Sequence, residues 1–218
     1  MKYKWLNKEN NNKLIIFFNG WGMDEGVVKH LDPENYDVLM FYDYNNLETD
    51  FKPDKKYSET NIIAWSMGVM SASIICTEPH PLTPSLKGRG SVVVINGTLK
   101  PIDEKYGIHP KIYDLTIANF DEKGRDKFIW NMGVNVVGVN ADFISCPLPD
   151  RTLENQKSEL IALKNYKADL NFKPTKILIS GNDKIIPTKN QCAFWGIEPN
   201  LKGGHCPFFS FKKWGELL

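Results

Sequence analysis

The feature that most constrains this chain is an apolar run that leads directly into a serine. Residues 61–68 read Asn-Ile-Ile-Ala-Trp-Ser-Met-Gly. The run Asn61–Trp65 has the length and the unbroken apolar character of a strand that is buried on both faces. The residues after it predict a helix, so Ser66 lies at a junction of strand, tight turn and helix. Such junctions are typical of a mostly parallel sheet covered by helices.

A serine in this position is a candidate nucleophile. The turn of a nucleophile elbow strains the serine backbone, so the residues two positions before and after it must be small. Gly68 provides one small neighbour, and Ala64 replaces the glycine that is usual on the other side. The alternative is a serine that only caps the next helix. The strand before Ser66 and the helix after it favour the nucleophile.

The rest of the chain alternates apolar runs with helix-like segments. This alternation indicates an α/β class, and with the elbow it predicts an α/β-hydrolase fold in a single domain, residues 1–218. The first two strands are expected to form a hairpin across the polar turn Asn7–Asn12. The predicted strands are Lys2–Leu6, Leu14–Phe18, Asp37–Tyr42, Asn61–Trp65, Ser91–Asn96 and Lys176–Ser180, and the predicted helices are Glu25–Leu31, Met67–Cys76 and Thr188–Phe194.

Two segments interrupt this alternation. Pro79–Gly90 contains three prolines and two glycines, so it cannot form a regular element, and we interpret it as an exposed loop insertion. Residues 111–170 show no clear strand and are predicted to be helical, with Lys157–Ala168 as the best amphipathic stretch. Because this block precedes the last core strands, we expect it to lie over one end of the sheet as a lid.

The strand Leu14–Phe18 leads into Asn-Gly-Trp-Gly-Met, residues 19–23. Two glycines around Trp21 allow a tight bend that exposes backbone N–H groups. In this architecture the oxyanion donors are the residue after the nucleophile, here Met67, and a residue in the loop after an earlier strand, here Trp21. The alternative is an ordinary glycine turn with Trp21 packed in the core.

A nucleophilic serine also needs a base and a carboxylate that orients it. His205 lies near the C-terminus in Gly-Gly-His-Cys-Pro, a loop context that presents an imidazole. Asp183 follows the strand Lys176–Ser180, at the sheet edge where ligands bind in such folds. Asp183 could instead cap the next helix, and Asn182 and Asp169 are weaker candidates for the acid. The other histidines, His30, His80 and His109, are assigned to surface or packing roles.

The composition of the chain mainly excludes classes of partner and location. The net charge of +1 favours neither nucleic acid nor an acidic membrane as partner. No apolar run is long enough for a signal peptide or a membrane span. The four cysteines are scattered without metal-ligand spacing, so we expect reduced, structural thiols, Cys206 included, in a cytoplasmic monomer. The predicted chemistry requires neither a metal nor an organic cofactor.

Several motifs together resemble the BioG-type pimeloyl-[acyl-carrier protein] methyl ester esterases of the α/β-hydrolase superfamily. The resemblance runs almost from end to end, and Pro79–Gly90 is the clear departure from the pattern. The motifs are Phe-Asn-Gly-Trp-Gly-Met at 18–23, Ala-Trp-Ser-Met-Gly at 64–68, Ile-Asn-Gly-Thr at 95–98, Pro-Ile-Asp at 101–103 and Gly-His-Cys-Pro-Phe-Phe at 204–209.

The resemblance implies a step of biotin synthesis. Such esterases cleave the methyl ester of pimeloyl-acyl carrier protein and release methanol, which makes an acyl carrier protein the expected partner. The carried-over residues are Ser66, His205 and Asp183, with Trp21 and Met67 as oxyanion donors. Two alternatives stay open: a broader acyl hydrolase, such as a thioesterase or short-chain carboxylesterase, and a non-catalytic binding protein with a hydrolase-like fold.

Residues of the predicted lid suggest how such a substrate would bind. Basic side chains would guide an acidic carrier protein, mainly by raising the association rate, although a solvated helix face explains them equally well. The candidates are Lys123, Arg125, Lys127 and Arg151, of which Arg125 and Arg151 are the preferred docking residues. Apolar side chains would line an acyl tunnel or simply pack in the core, namely Phe128, Trp130, Phe143 and Ile144.

Overall fold

A six-stranded sheet organises the residues that the computed structural model describes, which are 1–77, 89–133 and 146–218. The strand order is β1-β3-β2-β4-β5-β6, and all neighbouring pairs are parallel except β1 with β3. The sheet is therefore mostly parallel, as predicted. The strands are β1 (Lys2–Asn7), β2 (Lys13–Phe18), β3 (Tyr36–Tyr42), β4 (Glu59–Trp65), β5 (Arg89–Ile95) and β6 (Lys176–Leu178).

The predicted hairpin between the first two strands is wrong. Strand β1 pairs antiparallel with β3, with Lys2 opposite Tyr42, and β2 lies on the other side of β3. The reason is burial: β2 is buried over five of its six residues and needs neighbours on both sides, whereas the first three residues of β1 are exposed. A strand with charged, exposed residues is suited to the edge of a sheet.

Helices cover the sheet, and the bounds of each predicted helix differ from those in the structure. The predicted helix Glu25–Leu31 is only a 3-10 turn, Glu25–Val27, because Gly26 and the β-branched valines that follow disfavour an α-helix. The expected stretch Lys157–Ala168 begins earlier, after the N-cap Thr152. The helices are α1 (Gly68–Thr77), α2 (Pro110–Ala118), α3 (Glu122–Met132), α4 (Leu153–Leu163) and α5 (Thr188–Trp195).

The side chains of β2 divide the core into two layers. Leu14, Ile16 and Phe18 pack on the α1 side, while Ile15 and Phe17 pack on the opposite side, where the Phe17 ring contacts Phe208 and Trp214. Successive residues of a strand point to opposite faces, so an unbroken apolar run fills both layers. Burial of each such side chain contributes roughly 1.5–3 kcal/mol, which makes the sheet a rigid base for the loops at its edge.

Three helices, α2, α3 and α4, follow β5 and precede β6 in the segment where a lid is predicted. Most of the predicted loop Pro79–Gly90, including His80, lies outside the described residues, as do Phe143 and Ile144. The described end of that loop differs from the prediction, because β5 already begins at Arg89. In the described part of the chain, every helix is too short or too polar to cross a membrane.

Candidate active site

Ser66 directly follows β4 and has the strained backbone that its sequence context predicts. Its φ is 58°, in the left-handed region that non-glycine residues rarely adopt. Gly68 allows α1 to begin close to β2, since a Cβ at this position would lie 2.4 Å from the carbonyl oxygens of Phe18 and Asn19. Ala64 is fully buried on β4. The small residues on both sides of Ser66 therefore serve the tight turn.

Ser66, His205 and Asp183 form a hydrogen-bonded series. His205 Nε2 lies 2.7 Å from Ser66 Oγ, and His205 Nδ1 lies 2.7 Å from Asp183 Oδ2. All three residues are buried. A carboxylate only accepts hydrogen bonds, so its position assigns the proton to Nδ1 and leaves Nε2 free to accept the serine hydroxyl proton. This arrangement can remove a proton from Ser66 and return it to a leaving group.

Asp183 is held in place by the turn before α5. Its Oδ1 accepts the backbone N–H groups of Ile185 and Ile186, and its Oδ2 also accepts from Gln191 Nε2 at 2.8 Å. Helix α5 itself begins after Pro187 without a side-chain cap, so Asp183 organises the turn rather than capping the helix. The other candidate for the acid, Asp169, bonds the N–H of Asn171, in a different part of the chain.

The backbone of His205 is fixed by two residues that the sequence analysis did not assign to the site. The carbonyl oxygen of His205 accepts Trp65 Nε1–H at 2.8 Å and Asn96 Nδ2–H at 2.9 Å. Asn96 directly follows β5 and has a φ of 45°. Asn96 could have been found from the sequence as a polar residue at the carboxyl end of a buried strand, because such ends meet at the ligand-binding edge of the sheet.

The loop after β2 brings the predicted oxyanion donors to the same place. Trp21 and Met67 line one cavity together with Ser66 and His205. Among the described residues, the backbone N–H groups of Trp21 and Met67 have no hydrogen-bond acceptor, although both residues are buried. Buried backbone donors are almost always paired, so two free donors beside a serine indicate a place for an oxygen atom of a ligand.

Helix α4 holds the loop after β2 from the outside. The Gly22 N–H donates to Glu159 Oε2 at 3.0 Å, and Gln156 Nε2 donates to the Gly22 carbonyl at 2.8 Å. Trp21 Nε1 donates to the Gln156 carbonyl at 2.7 Å. Burial raises the pKa of Glu159 above its ordinary value, and the charge of Arg151 and two backbone donors oppose this shift. The sequence analysis missed Glu159 and Gln156, which carry no local motif.

A second carboxylate lies beside this helix at the end of β3. Asp43 is paired with Lys2 at 2.8 Å and lies 3.5 Å from Arg151. Burial alone would raise the pKa of Asp43, but hydrogen bonds from Lys2 and Asn45 and the charge of Arg151 outweigh it and lower the pKa to about 2. The charged cluster joins β1, β3 and the start of α4.

The cavity beside Ser66 is narrow and mostly apolar. Its volume is about 30 Å³, which leaves room for only a few water molecules. Phe128, a predicted tunnel residue, lines it, whereas Trp130 is exposed. All three helices between β5 and β6 contribute to its wall, through Tyr113, Thr116, Phe128, Met132 and Leu160.

The structure does not favour the docking role predicted for Arg151. Its side chain is only 5% exposed and its Nη1 lies 2.8 Å from Glu159 Oε2, so the guanidinium is held inside the protein. Arg125 is 17% exposed and lies 3.4 Å from Asp126. The neighbouring Lys123 and Lys127 on α3 are exposed. Sequence position alone could not show which of these four basic residues reach solvent.

The other described histidines, His30 and His109, have structural roles outside this site. His109 caps α2, and His30 bonds the Phe208 carbonyl and stacks on Phe209. All four cysteines are free thiols. Within residues 1–77, 89–133 and 146–218, no group of three or more His, Cys, Asp or Glu residues could hold a metal ion.

Comparison with known proteins identifies the family of this chain. The family model described as pimeloyl-ACP methyl esterase BioG matches residues 1–217. The chain belongs to the BioG family. The crystal structure of BioG from Haemophilus influenzae superimposes with a TM-score of 0.79 and 30% identity, covering 100% of this chain and 99% of that one. An uncharacterised protein of H. influenzae is 32% identical over 100% of this chain and 99% of its own length.

Two further proteins are similar to this chain, one in fold and one in sequence. An esterase from Exiguobacterium antarcticum matches with a TM-score of 0.62 at 10% identity over 93% of this chain and 85% of its own, which shows a shared α/β-hydrolase fold alone. A malonyl-[acyl-carrier protein] O-methyltransferase of Bacteroides fragilis is 36% identical over 83% of this chain. The chain spans 36% of the length of that relative. The fold and the BioG family together support a carboxylesterase activity for this chain.

Proposed function

We propose that this protein is a serine esterase that hydrolyses the methyl ester of pimeloyl-acyl carrier protein in biotin synthesis. The observation that carries the proposal is the series Ser66–His205–Asp183, with both hydrogen-bonded distances at 2.7 Å, beside two unpaired backbone donors. Each part has a place in acyl transfer: a nucleophile, a base, an orienting carboxylate and an oxyanion site. The free cysteines are compatible with a monomer in a reducing cytoplasm.

The reaction proceeds in two steps on these residues. His205 Nε2 takes the Ser66 proton while Oγ attacks the ester carbonyl, and the N–H groups of Trp21 and Met67 bind the oxyanion. The imidazolium, stabilised by Asp183, gives its proton to the leaving methoxide, and methanol departs. Water activated by His205 then cleaves the acyl-enzyme, which restores Ser66 and releases the free carboxylate.

The cavity supports an acyl chain as substrate. Its walls are largely aromatic and aliphatic, and Phe128, Tyr113 and Leu160 come from three different helices. Since the volume of about 30 Å³ is too small for a pimeloyl chain, we propose that α2, α3 and α4 act as a lid that separates to admit it. The phosphopantetheine arm would then leave through the opened lid, with the carrier protein outside.

The names of relatives point in the same direction. The family description names a pimeloyl-ACP methyl esterase, and the B. fragilis relative is named for methylating a carboxylate on an acyl carrier protein. Hydrolysis of such a methyl ester restores the free carboxylate by a different reaction, which breaks the acyl C–O bond and releases methanol. The two activities would therefore act on carrier-bound dicarboxylic acids of different length, one to mask the ω-carboxylate of a malonyl group and the other to release that of a pimeloyl group.

The test compares wild type with Ser66→Ala on pimeloyl-carrier protein methyl ester, followed by intact mass. Conversion of the methyl ester to the acid, with the thioester intact and only in wild type, is the expected result. Release of the unacylated carrier protein would identify a thioesterase instead. Hydrolysis restricted to p-nitrophenyl esters would indicate a broader carboxylesterase, and no Ser66-dependent hydrolysis would favour a binding protein.

A further inference from the structure

Helix α4 reaches the oxyanion loop through a fully buried carboxylate. We propose that Glu159 is a positioning residue that aims the Trp21 N–H at the oxyanion, an inference that rests on the proposed function. Glu159 lies on the second turn of α4, away from Ser66, and is not among the residues that line the cavity. Its contribution therefore has to pass through the backbone of the loop at residues 19–23.

The contacts of Glu159 fix the peptide that follows Trp21. Its Oε2 accepts the Gly22 N–H at 3.0 Å, and its Oε1 accepts the Tyr44 N–H at 2.8 Å. Gln156, one turn earlier on α4, donates to the Gly22 carbonyl at 2.8 Å. Gly22 has a φ of 73°, so this loop depends on outside bonds to keep its bend. With both polar groups of Gly22 held by α4, the backbone of Trp21 has little freedom to rotate.

The other donors of the loop are turned away from the cavity in the same way. The Gly20 N–H donates to Asn19 Oδ1 at 2.9 Å, and the Met23 N–H donates to the Gly20 carbonyl at 3.3 Å. The Gly22 N–H is taken by Glu159. Among the described residues, the Trp21 N–H is then the donor of this stretch that is left for a ligand. The hydrogen bonds of the loop at residues 19–23 therefore position this single donor.

The charge of Glu159 is matched to its surroundings. It faces three donors, the amides of Gly22 and Tyr44 and the Arg151 guanidinium, which lies 2.8 Å away. Arg151 also compensates the negative charge, so the buried carboxylate does not oppose a developing oxyanion nearby. A glutamine could satisfy only one of the two amides, because its NH₂ group would face a donor.

The experiment uses Glu159→Gln, the double variant Glu159→Gln/Arg151→Met, and Asp37→Asn as a matched control. The double variant also removes the buried Arg151 guanidinium, which in the single variant loses one of its two carboxylate partners and keeps only Asp43, a loss that could destabilise the protein. Asp37 is also fully buried and accepts two backbone N–H groups, from Glu9 and Asn11, but at the opposite end of β3. The Asp37→Asn variant therefore measures how much stability and activity the protein loses when a buried carboxylate far from the site is removed.

Each variant is measured for kcat and KM on p-nitrophenyl butyrate and for inhibition by an alkyl trifluoromethyl ketone, which forms an oxyanion on the serine. We expect both Glu159 variants to lose about 10–100-fold in kcat with KM nearly unchanged, and to bind the ketone correspondingly more weakly. Asp37→Asn should lower the Tm but keep kcat and ketone affinity. A folded double variant with wild-type kcat would overturn the inference.

Further outcomes distinguish a failure of this inference from a failure of the proposed function. An equal loss of kcat in Asp37→Asn would show that the effect follows general destabilisation, and this would also overturn the inference. Wild-type enzyme without Ser66-dependent hydrolysis of the p-nitrophenyl ester would overturn the proposed function, and the inference with it. Active wild type with unaffected Glu159 variants overturns the inference alone.

Discussion

Asp183 illustrates how a single residue can combine orientation with charge. Two backbone amides hold its Oδ1, so its Oδ2 is directed at His205 Nδ1. In the proposed mechanism, the carboxylate thereby selects the tautomer in which Nε2 can accept the Ser66 proton, and it stabilises the imidazolium that results. Both effects need an acceptor without a proton of its own, which asparagine cannot guarantee.

We expect Asp183→Asn to reduce kcat by about 10⁴-fold, because an amide stabilises the wrong imidazole tautomer. Circular dichroism should show a folded protein, since the change keeps the shape of the side chain. Kinetics on a p-nitrophenyl ester measure the loss. Activity within about tenfold of wild type would move the acid to another residue.

Local sequence patterns located residues that the structure brings together, but they did not reveal residues that act over long separations in the chain. Ser66, His205 and Asp183 each lie in a recognisable turn, and the structure brings them together. Asn96 bonds His205 across 109 positions of the sequence, and Glu159 bonds Gly22 across 137. Neither contact can therefore be recognised from the residues next to it in the sequence. Arg151 misled because its charge partners are the buried Glu159, eight positions away on α4, and Asp43, which is distant in the chain.

At the scale of elements, close approach between α1 and the loop after β2 depends on Gly68. Gly68→Ala would place a Cβ 2.4 Å from two backbone carbonyl oxygens, which cannot move as a flexible side chain would. We expect a loss of about 1–3 kcal/mol in unfolding free energy, with lower kcat because Ser66 shifts relative to the oxyanion donors. Gly181→Ala is the control for stability, since its nearest neighbour would be 3.6 Å away. Equal melting temperatures for the two variants would refute the packing argument.

The cluster around Asp43 ties together three elements and gives them an acid-sensitive link. The folded pKa of about 2 lies below the ordinary value of 3.8, so this stability is present above pH 3.8 and is lost as pH falls towards 2. Because Lys2 is exposed and screened by solvent, we expect a contribution on the order of 1 kcal/mol. Urea titrations between pH 5 and 2 should show a shallower acid decline for Asp43→Asn. An identical decline in both proteins would reject this assignment.

The order of the strands was predicted less well than their positions. The unbroken apolar runs located β2 to β5 to within two residues, because period and burial are local properties. The pairing of β1 with β3 depends on which strand needs two neighbours, and this is a property of the complete sheet. The helix boundaries moved for a similar reason, since caps such as Thr152 define them more sharply than hydrophobic periodicity does.

At the scale of the whole molecule, a rigid sheet carries the proposed lid, which consists of α2, α3 and α4. The exposed basic residues of α3 are Lys123 and Lys127, and we propose that they, rather than Arg125 and Arg151, take the docking role. An acidic carrier protein approaching this face would be steered by their charge. Such steering raises the association rate and weakens with salt.

We expect Lys123→Glu/Lys127→Glu to lower kcat/KM for the carrier-bound methyl ester by about tenfold at low salt, and much less at high salt. Hydrolysis of a p-nitrophenyl ester should change far less, because that substrate carries no acidic protein. Lys52→Glu/Lys56→Glu, an equal change of charge before β4, serves as the matched control. Equal losses with both pairs of variants would mean that net charge, not this face, is responsible.

The most direct test of the central claim is covalent labelling of Ser66. Wild type, Ser66→Ala and His205→Ala are incubated with a fluorophosphonate, and the adduct is located by intact mass and peptide mapping. The account predicts a single adduct on Ser66 in wild type, none in Ser66→Ala, and labelling slowed by orders of magnitude in His205→Ala. An adduct on another residue, or equally fast labelling without His205, would contradict it.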